Sequence, residues 1–248
     1  MLMETRHLSG LIIDSVKFFI SAIILAYAWY VLASITKLKP LTIEELVLVQ
    51  QEQIAYSYYI TLGIIAMLAY IVDYFYYKIQ FTPAYSRPFN RKHLAFALLF
   101  SMLFIVGGLV GLYTTGIKPI TAVIYSIPLA IAHGLKGIIE NMFFIGLIGF
   151  GIWTLLSKGS RTLSTAIISA IIVGIISVAW HLYKLFHIYA ITGMQISTVI
   201  PVAISIFIFF FIGAIISFLE DKTWTWDIVH FMVNFSIGLL GAKGYLIL

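Results

Sequence analysis

The sequence predicts an all-α protein, a polytopic bundle of seven or eight transmembrane helices, from its composition, its hydropathy and the spacing of its apolar runs. Hydrophobic residues make up 62% of the 248 residues, charged residues only 10%, and the mean hydropathy is +1.05. A soluble domain carries about 25% charged residues because its surface must be wetted. Apolar runs of about 20 residues, the length that crosses a bilayer as a helix, recur along nearly the whole chain. Any chemistry must therefore be done by side chains inside the membrane.

The apolar runs, and the helix-breaking and charged residues that separate them, predict spans near 11–36, 54–77, 93–115, 138–156, 162–190, 197–219 and 224–247. The stretch 119–135, with Pro128 inside it, fits a short crossing, a re-entrant segment, or the kinked first half of the helix that carries Glu140. We treat the chain as one membrane-embedded domain. It has N-terminal transmembrane helices over 1–117 and motif-bearing transmembrane helices over 118–248.

The absence of cysteine excludes disulfide frameworks, thiolate metal sites and cysteine nucleophiles. The formal charge of +5 lies largely in the loops, where it reflects orientation and contact with anionic lipid rather than nucleic-acid binding. We therefore expect membrane lipid as a partner and no nucleic acid. The first apolar run has no small-residue cleavage site after a short apolar core, so it is interpreted as a retained span and not a signal peptide.

Positive charge favours one orientation of the bundle. Seven crossings with the amino terminus inside put eight cationic residues on the cytoplasmic side: Arg6, Lys78, Arg87, Arg91, Lys92, Lys158, Arg161 and Lys222. Four would lie outside: Lys37, Lys39, Lys118 and Lys243. The positive-inside rule thus places the basic loop 78–92 in the cytoplasm. We expect a multi-pass protein of a prokaryotic plasma membrane.

Several polar and aromatic residues near the span ends fit the membrane interface. The loop 37–53 is interpreted as a short interfacial helix with solvated glutamates, namely Glu44, Glu45 and Glu52. Snorkelling to the interface would accommodate Asp14, Lys17 and Asp73. Trp224 and Trp226 fit an aromatic belt.

Polar residues inside the spans carry more information, because an ionisable side chain there costs about 2.5–3.5 kcal/mol to insert. They cluster in the second half of the chain: His133, Lys136, Glu140, Asn141, His181, Lys184, His187, Asp227, His230 and Asn234. A pair with Lys136, one turn earlier, would neutralise Glu140 locally. A lone His181 is compatible with a hydrogen bond between helices. His230 and Asn234, four residues apart, share one helix face and can donate hydrogen bonds to an oxygen that gains charge, or join helices.

In chain order, the pieces Glu-Asn-Met-Phe-Phe-Ile-Gly at 140–146, Trp-His at 180–181 and His-x-x-x-Asn at 230–234 resemble the motifs of the CAAX-protease and bacteriocin-processing (CPBP) family of intramembrane proteases, over roughly residues 118–240. The family carries Glu-Glu-x-x-x-Arg, Phe-x-x-x-His and His-x-x-x-Asn or Asp on successive helices. Asn141 stands at the second glutamate, Ile145 at the arginine and Ser177 at the phenylalanine. The four central catalytic positions of the family match Glu140, His181, His230 and Asn234.

The resemblance implies an endopeptidase that cleaves near a membrane-anchored or prenylated protein tail, without a cofactor or metal. Glu140 and His181 would bind and deprotonate a water, and His230 and Asn234 would stabilise the oxyanion. Three alternatives stay open at this point. Glu140, His181 and His230 are also a possible zinc ligand set. The polar residues would serve equally in a proton or ion pathway, and the degenerate first motif fits an inactive, protease-like scaffold.

Overall fold

The computed structural model of the protein describes residues 2–38, 40–41, 43–77, 91–114, 127–157, 161–192 and 196–239. Nearly all of these residues are helical, and no β-strand occurs among them. The predicted all-α class is therefore confirmed for the described part of the chain.

The described segments join into seven continuous helices, two of which contain a π-helical stretch. Their elements are α1 (Leu2–Leu38), α2 (Ile43–Val72) with π1 (Asp73–Tyr77), α3 (Arg91–Thr114), α4 (Ile127–Glu140) with π2 (Asn141–Gly149) and α5 (Phe150–Ser157), α6 (Leu163–Thr192), α7 (Ile196–Glu220) and α8 (Trp224–Leu239).

Five stretches among the described residues are long and apolar enough to cross a membrane: Leu8–Leu38, Val49–Tyr76, Ile127–Ser157, Leu163–Leu182 and Val199–Glu220. Large apolar side chains are exposed along their outer faces, among them Phe19 and Ile23 of α1 at 62% and 68%. A contiguous apolar surface of this extent is rare on a protein that faces water. These features indicate a multi-pass membrane protein.

The helix that carries Glu140 begins earlier than the apolar run alone would place it. It starts at Ile127, so Pro128 lies in its first turn, where a missing N–H leaves no hydrogen bond unmade. Of the three interpretations of 119–135, the helix that continues through Glu140 is correct for residues 127–135. Residues 119–126 lie outside the described part. Glu140 consequently lies near the middle of the stretch 127–157.

Directly after Glu140 the helix changes from α to π geometry, and the Phe150 N–H bonds to the carbonyl of Ile145, five residues earlier. Tyr70 of α2 inserts at this stretch, where its hydroxyl donates to the Met142 carbonyl at 2.6 Å. A Cβ on Gly146 would stand 2.1 Å from the same hydroxyl. An inserted side chain is a known cause of such local rewinding, and π-helical stretches are frequent at functional sites.

Helices α4 and α8 cross at very short range because small residues line their contact. A Cβ on Gly238 would lie 2.9 Å from Cα of Ala130, and one on Gly134 would lie 2.7 Å from the Phe231 ring. Small residues let helix backbones approach closely in membranes. This crossing brings Glu140 of α4 beside the polar face of α8.

Two expectations about the membrane interface are wrong. Residues 43–53 do not form a separate interfacial helix, since α2 begins at Ile43 and runs unbroken to Val72. Trp226 is fully buried, with its ring centroid 4.9 Å from that of Phe209, and does not belong to an aromatic belt. The missing side chain of Gly213 leaves the space that the Trp226 indole fills.

The junction of α2 and π2 gives a test of the fold. We expect Gly146→Ala to destabilise the protein by about 1–3 kcal/mol, the usual cost of overpacking, because the new methyl group meets the Tyr70 hydroxyl. Thermal unfolding in detergent measures the effect. The same change at Gly107, where a Cβ meets nothing within 4 Å, is the matched control.

Tyr70→Phe should suppress the defect of Gly146→Ala, since the next ring atom lies 3.4 Å from the added Cβ. Equal melting temperatures for Gly146→Ala and Gly107→Ala would show that the hydroxyl does not occupy this position.

Candidate active site

Glu140 is the centre of a buried polar cluster that draws on four helices. Its carboxyl is 1% exposed, with Oε2 3.2 Å from Nε2 of His230 in α8 and Oε1 3.6 Å from Nε2 of His181 in α6. The hydroxyl of Tyr59, from α2, donates a short hydrogen bond to Oε1. Two imidazoles and a phenol therefore surround one carboxyl group in the interior of the bundle.

A backbone contact orients the His181 ring. Its Nδ1 lies 2.7 Å from the carbonyl oxygen of Ser177, one turn earlier in α6. A carbonyl only accepts, so Nδ1 carries the proton and Nε2 is the nitrogen that faces Glu140. Because the backbone supplies this acceptor, the orientation does not depend on which side chain stands at position 177.

A side-chain contact orients the His230 ring. Its Nδ1 lies 2.9 Å from Oδ1 of Asn141, and Nδ2 of Asn141 donates to Oδ1 of Asp227 at 3.1 Å. Asn141, which stands where the CPBP pattern has a second glutamate, is fully buried and bonded on both sides of its amide. Position 141 therefore still contacts the site.

Asn234 shares the inner face of α8 with His230. Both approach Gly137 of α4, where a Cβ would lie 2.6 Å from Cδ2 of His230 and 3.0 Å from Nδ2 of Asn234. The side chain of Asn234 is 4% exposed. All four residues that the sequence singled out thus lie around the crossing of α4, α6 and α8, at the middle of the helix that carries Glu140.

A second buried cluster lies beside the first. Lys136 does not pair with Glu140, as the helical spacing allowed, but with Glu52 of α2 at 3.5 Å. His133 Nδ1 lies 3.8 Å from the same carboxylate, and all three side chains are at most 2% exposed. The expectation that Glu52 is solvated at headgroup level is therefore wrong, because α4 supplies a cation for it inside the bundle. The side chains of Glu44 and Glu45 lie outside the described residues.

Lys17 and Asp14 also have partners inside the protein. Lys17 Nζ lies 2.7 Å from Oδ2 of Asp227 and 2.8 Å from Oδ1 of Asp14, whose side chain is 1% exposed. Asp73 is equally buried. Snorkelling to the interface is therefore wrong for Lys17 and Asp14, which are ion-paired within the bundle, and for Asp73, which is buried.

Lys184 and His187 are the two further candidates. They lie in α6, but their side chains are outside the described part of the structure. Within the described residues, no group of three or more histidine and acidic side chains has the arrangement of a metal site.

Comparisons with known proteins add no relative: no family model, no curated protein and no solved structure matches the chain.

Nothing in the sequence marks Tyr59 as part of the site, whereas Asp227 is among the polar residues inside the predicted spans. Tyr59 lies in an aromatic-rich apolar run, where tyrosine is unremarkable. The contact of Asp227 with Asn141 was not predictable, because the two residues are 86 positions apart in the sequence. A weak signal exists in α2, since Glu52, Tyr56 and Tyr59 recur at the spacing of one helix face and are all buried. That face meets α4, which a single sequence does not reveal.

The Lys136–Glu52 pair gives a test that needs no assay of function. We expect Lys136→Met to lower the free energy of unfolding by about 3–5 kcal/mol, because it leaves the Glu52 carboxylate buried without its cation. The double variant with Glu52→Gln should recover most of this loss, since neither charge then remains. Thermal unfolding of the purified protein in detergent measures both. Additive effects of the two changes would show that the charges do not interact.

Proposed function

We propose that the protein is an intramembrane endopeptidase of the CAAX-protease type, which hydrolyses a peptide bond near a membrane-anchored or prenylated tail. The observation that carries the proposal is the contact of one buried carboxyl, Glu140, with Nε2 of both His181 and His230. The ordered resemblance of the motifs at 140–146, 180–181 and 230–234 to the CPBP family supports it.

In this proposal a water binds between Glu140 and His181. Glu140 takes a proton from the water while its oxygen attacks the peptide carbonyl carbon. The carbonyl oxygen gains negative charge, which His230 and Asn234 stabilise by donating hydrogen bonds. The proton is then delivered to the nitrogen that leaves as the C–N bond breaks. Buried donors are effective here because few waters compete for the developing charge.

The clustering of the polar groups favours catalysis over a conduction pathway. A conduction pathway would place ionisable groups at successive depths across the bilayer. Here, one carboxyl, that of Glu140, is contacted by His181, His230 and Tyr59. The rival interpretation draws on Lys136, which lies 5.5 Å from the centre of the Tyr59 ring and so connects the Glu52 cluster to Glu140. An inactive, protease-like scaffold is the other alternative, for which Asn141 and Ile145 argue.

The proposal includes seven crossings, formed by the five long apolar stretches together with α3 and α8. It also includes the cytoplasmic orientation of the loop 78–92 in the plasma membrane of a prokaryote. An odd number of crossings with the amino terminus inside keeps most positive charge in the cytoplasm.

The catalytic proposal predicts a graded series of losses. Glu140→Gln should abolish cleavage without unfolding the protein, since an amide keeps the shape of the carboxyl but does not accept the proton from water. His181→Ala should be nearly as severe. Asn234→Ala should lower kcat by about 10²–10³-fold, the usual cost of one oxyanion donor. The assay uses the purified full chain in lipid nanodiscs with a prenylated peptide and a library of leader peptides, with and without a chelator.

Asp221→Asn is the matched control for removal of a carboxylate. Asp221 pairs with Arg161 near the start of α8, away from the site, and its φ of 55° is one that asparagine adopts readily. Cleavage that survives Glu140→Gln would refute the mechanism. Inhibition by chelator would favour the zinc alternative. If no peptide is cleaved, proton flux through proteoliposomes tests the pathway, and absence of flux leaves the scaffold.

The proposed orientation has a direct test, because the chain has no cysteine. A cysteine introduced at Ser86, in the basic loop, should react with a membrane-impermeant maleimide only after the vesicles are opened. A cysteine at Lys37, at the exposed end of α1, should react in intact right-side-out vesicles. The reverse pattern would show that the bundle has the opposite orientation. Equal labelling of both sites would show that they lie on the same side of the membrane and that the chain does not cross it between them.

A further inference from the structure

An unbroken series of buried polar contacts connects α1 to the His230 ring. Lys17 Nζ lies 2.7 Å from Oδ2 of Asp227, Asp227 Oδ1 lies 3.1 Å from Nδ2 of Asn141, and Asn141 Oδ1 lies 2.9 Å from Nδ1 of His230. Asp227, Asn141 and His230 are each at most 4% exposed. The series ends where Nε2 of His230 meets Glu140.

The chemistry of each group fixes the direction of every hydrogen bond in this series. An ammonium group only donates, and Asp227 is the acceptor in its ion pair with Lys17 at 2.7 Å. The Asn141 amide must therefore turn its NH₂ toward Asp227 and its oxygen toward His230. An amide oxygen accepts, so the His230 nitrogen that faces it, Nδ1, must carry a proton.

The Asp227 carboxylate is held firmly enough to set this direction. Besides Lys17 and Asn141, it accepts from the hydroxyl of Thr223 at 3.1 Å, four residues earlier. The three donors come from α1, π2 and the turn before α8. With donors on both of its oxygens, the carboxylate has little freedom to turn, so the amide of Asn141 has one favourable orientation.

We propose that Lys17, Asp227 and Asn141 are positioning residues that hold a proton on Nδ1 of His230, so that Nε2 is the nitrogen that exchanges a proton with Glu140. Free histidine in water favours the opposite tautomer, so the protein must impose this one. The proton on Nδ1 is inferred from the contacts of Lys17, Asp227 and Asn141, whereas its catalytic consequence rests on the proposed function.

The catalytic consequence concerns the path of the proton. As the bond between the water oxygen and the carbonyl carbon forms, the proton passes to Glu140 and then to Nε2 of His230. The resulting imidazolium donates from Nε2 to the oxyanion, and the proton finally goes to the leaving nitrogen as the C–N bond breaks. His230 becomes a donor at the stage when negative charge is present on the oxygen.

Nitrogen-15 NMR of the full chain in nanodiscs, with labelled histidine, tests the tautomer directly. The chain has six histidines, and the His230 signals are assigned by their loss in His230→Gln. In the wild-type protein we expect a proton bonded to Nδ1 of His230. A neutral His230 with its proton on Nε2 would overturn the proposal without any variant, so the test does not depend on a mutant that folds.

Asp227→Asn tests the relay. The new amide should turn its oxygen to Lys17 and its NH₂ to Asn141, which must then present its own NH₂ to His230. Nδ1 would become an acceptor, so the His230 proton should move to Nε2. Asp221→Asn, with the same chemical change outside the relay, should leave the wild-type pattern. A His230 proton that stays on Nδ1 in Asp227→Asn would refute the role of the relay.

Peptide cleavage separates this inference from the proposed function. If cleavage occurs, Asp227→Asn should lower kcat at least about 10²-fold with little change in KM, as expected when a catalytic histidine adopts the wrong tautomer. An unchanged kcat, together with a reversed tautomer, would overturn the proposed path of the proton. If no peptide is cleaved by the wild-type protein, the proposed function fails, and the NMR result alone decides the tautomer.

Discussion

The close crossing of α4 and α8 is the constraint on which the rest of the site depends. Glycines at 134, 137 and 238 remove the side chains that would hold the two backbones apart. Helices in a membrane gain no hydrophobic energy by associating with one another, so close packing and buried polar contacts must supply the stabilisation. At this crossing both come together, because the contact that brings the backbones close also brings Glu140 to His230 and Asn141 to Asp227.

Charge pairing is the second organising principle of the interior. Several ionisable residues in the interior pair with a residue on another helix: Lys17 with Asp227, Lys136 with Glu52, and Glu140 with His181 and His230. A single buried charge would be costly in hydrocarbon, and its removal from a pair is more damaging than removal of both members. The pairs therefore specify which helices become neighbours as well as stabilising the bundle.

The site also joins the two parts of the chain. The motif-bearing residues lie beyond position 118, yet α1 supplies Lys17 and α2 supplies Tyr59 to the same network. The N-terminal helices are thus part of the environment of Glu140 and not only a membrane anchor. The backbone of the helix that carries Glu140 also depends on an N-terminal helix, since Tyr70 of α2 donates a hydrogen bond to the π-helical stretch that follows Glu140.

Composition and the length of the apolar runs determined the helical class and the presence of several helices long and apolar enough to cross a membrane, since a crossing requires about 20 apolar residues. The spacing of His230 and Asn234, four residues apart, determined that they share a helix face, because that relation is local. Only the tertiary structure decided that Lys136 pairs with Glu52 instead of Glu140, that Lys17 reaches Asp227, and that Tyr59 contacts Glu140. These partners are distant in sequence, and their choice depends on which helix faces meet, a property of the packed bundle that no local pattern encodes.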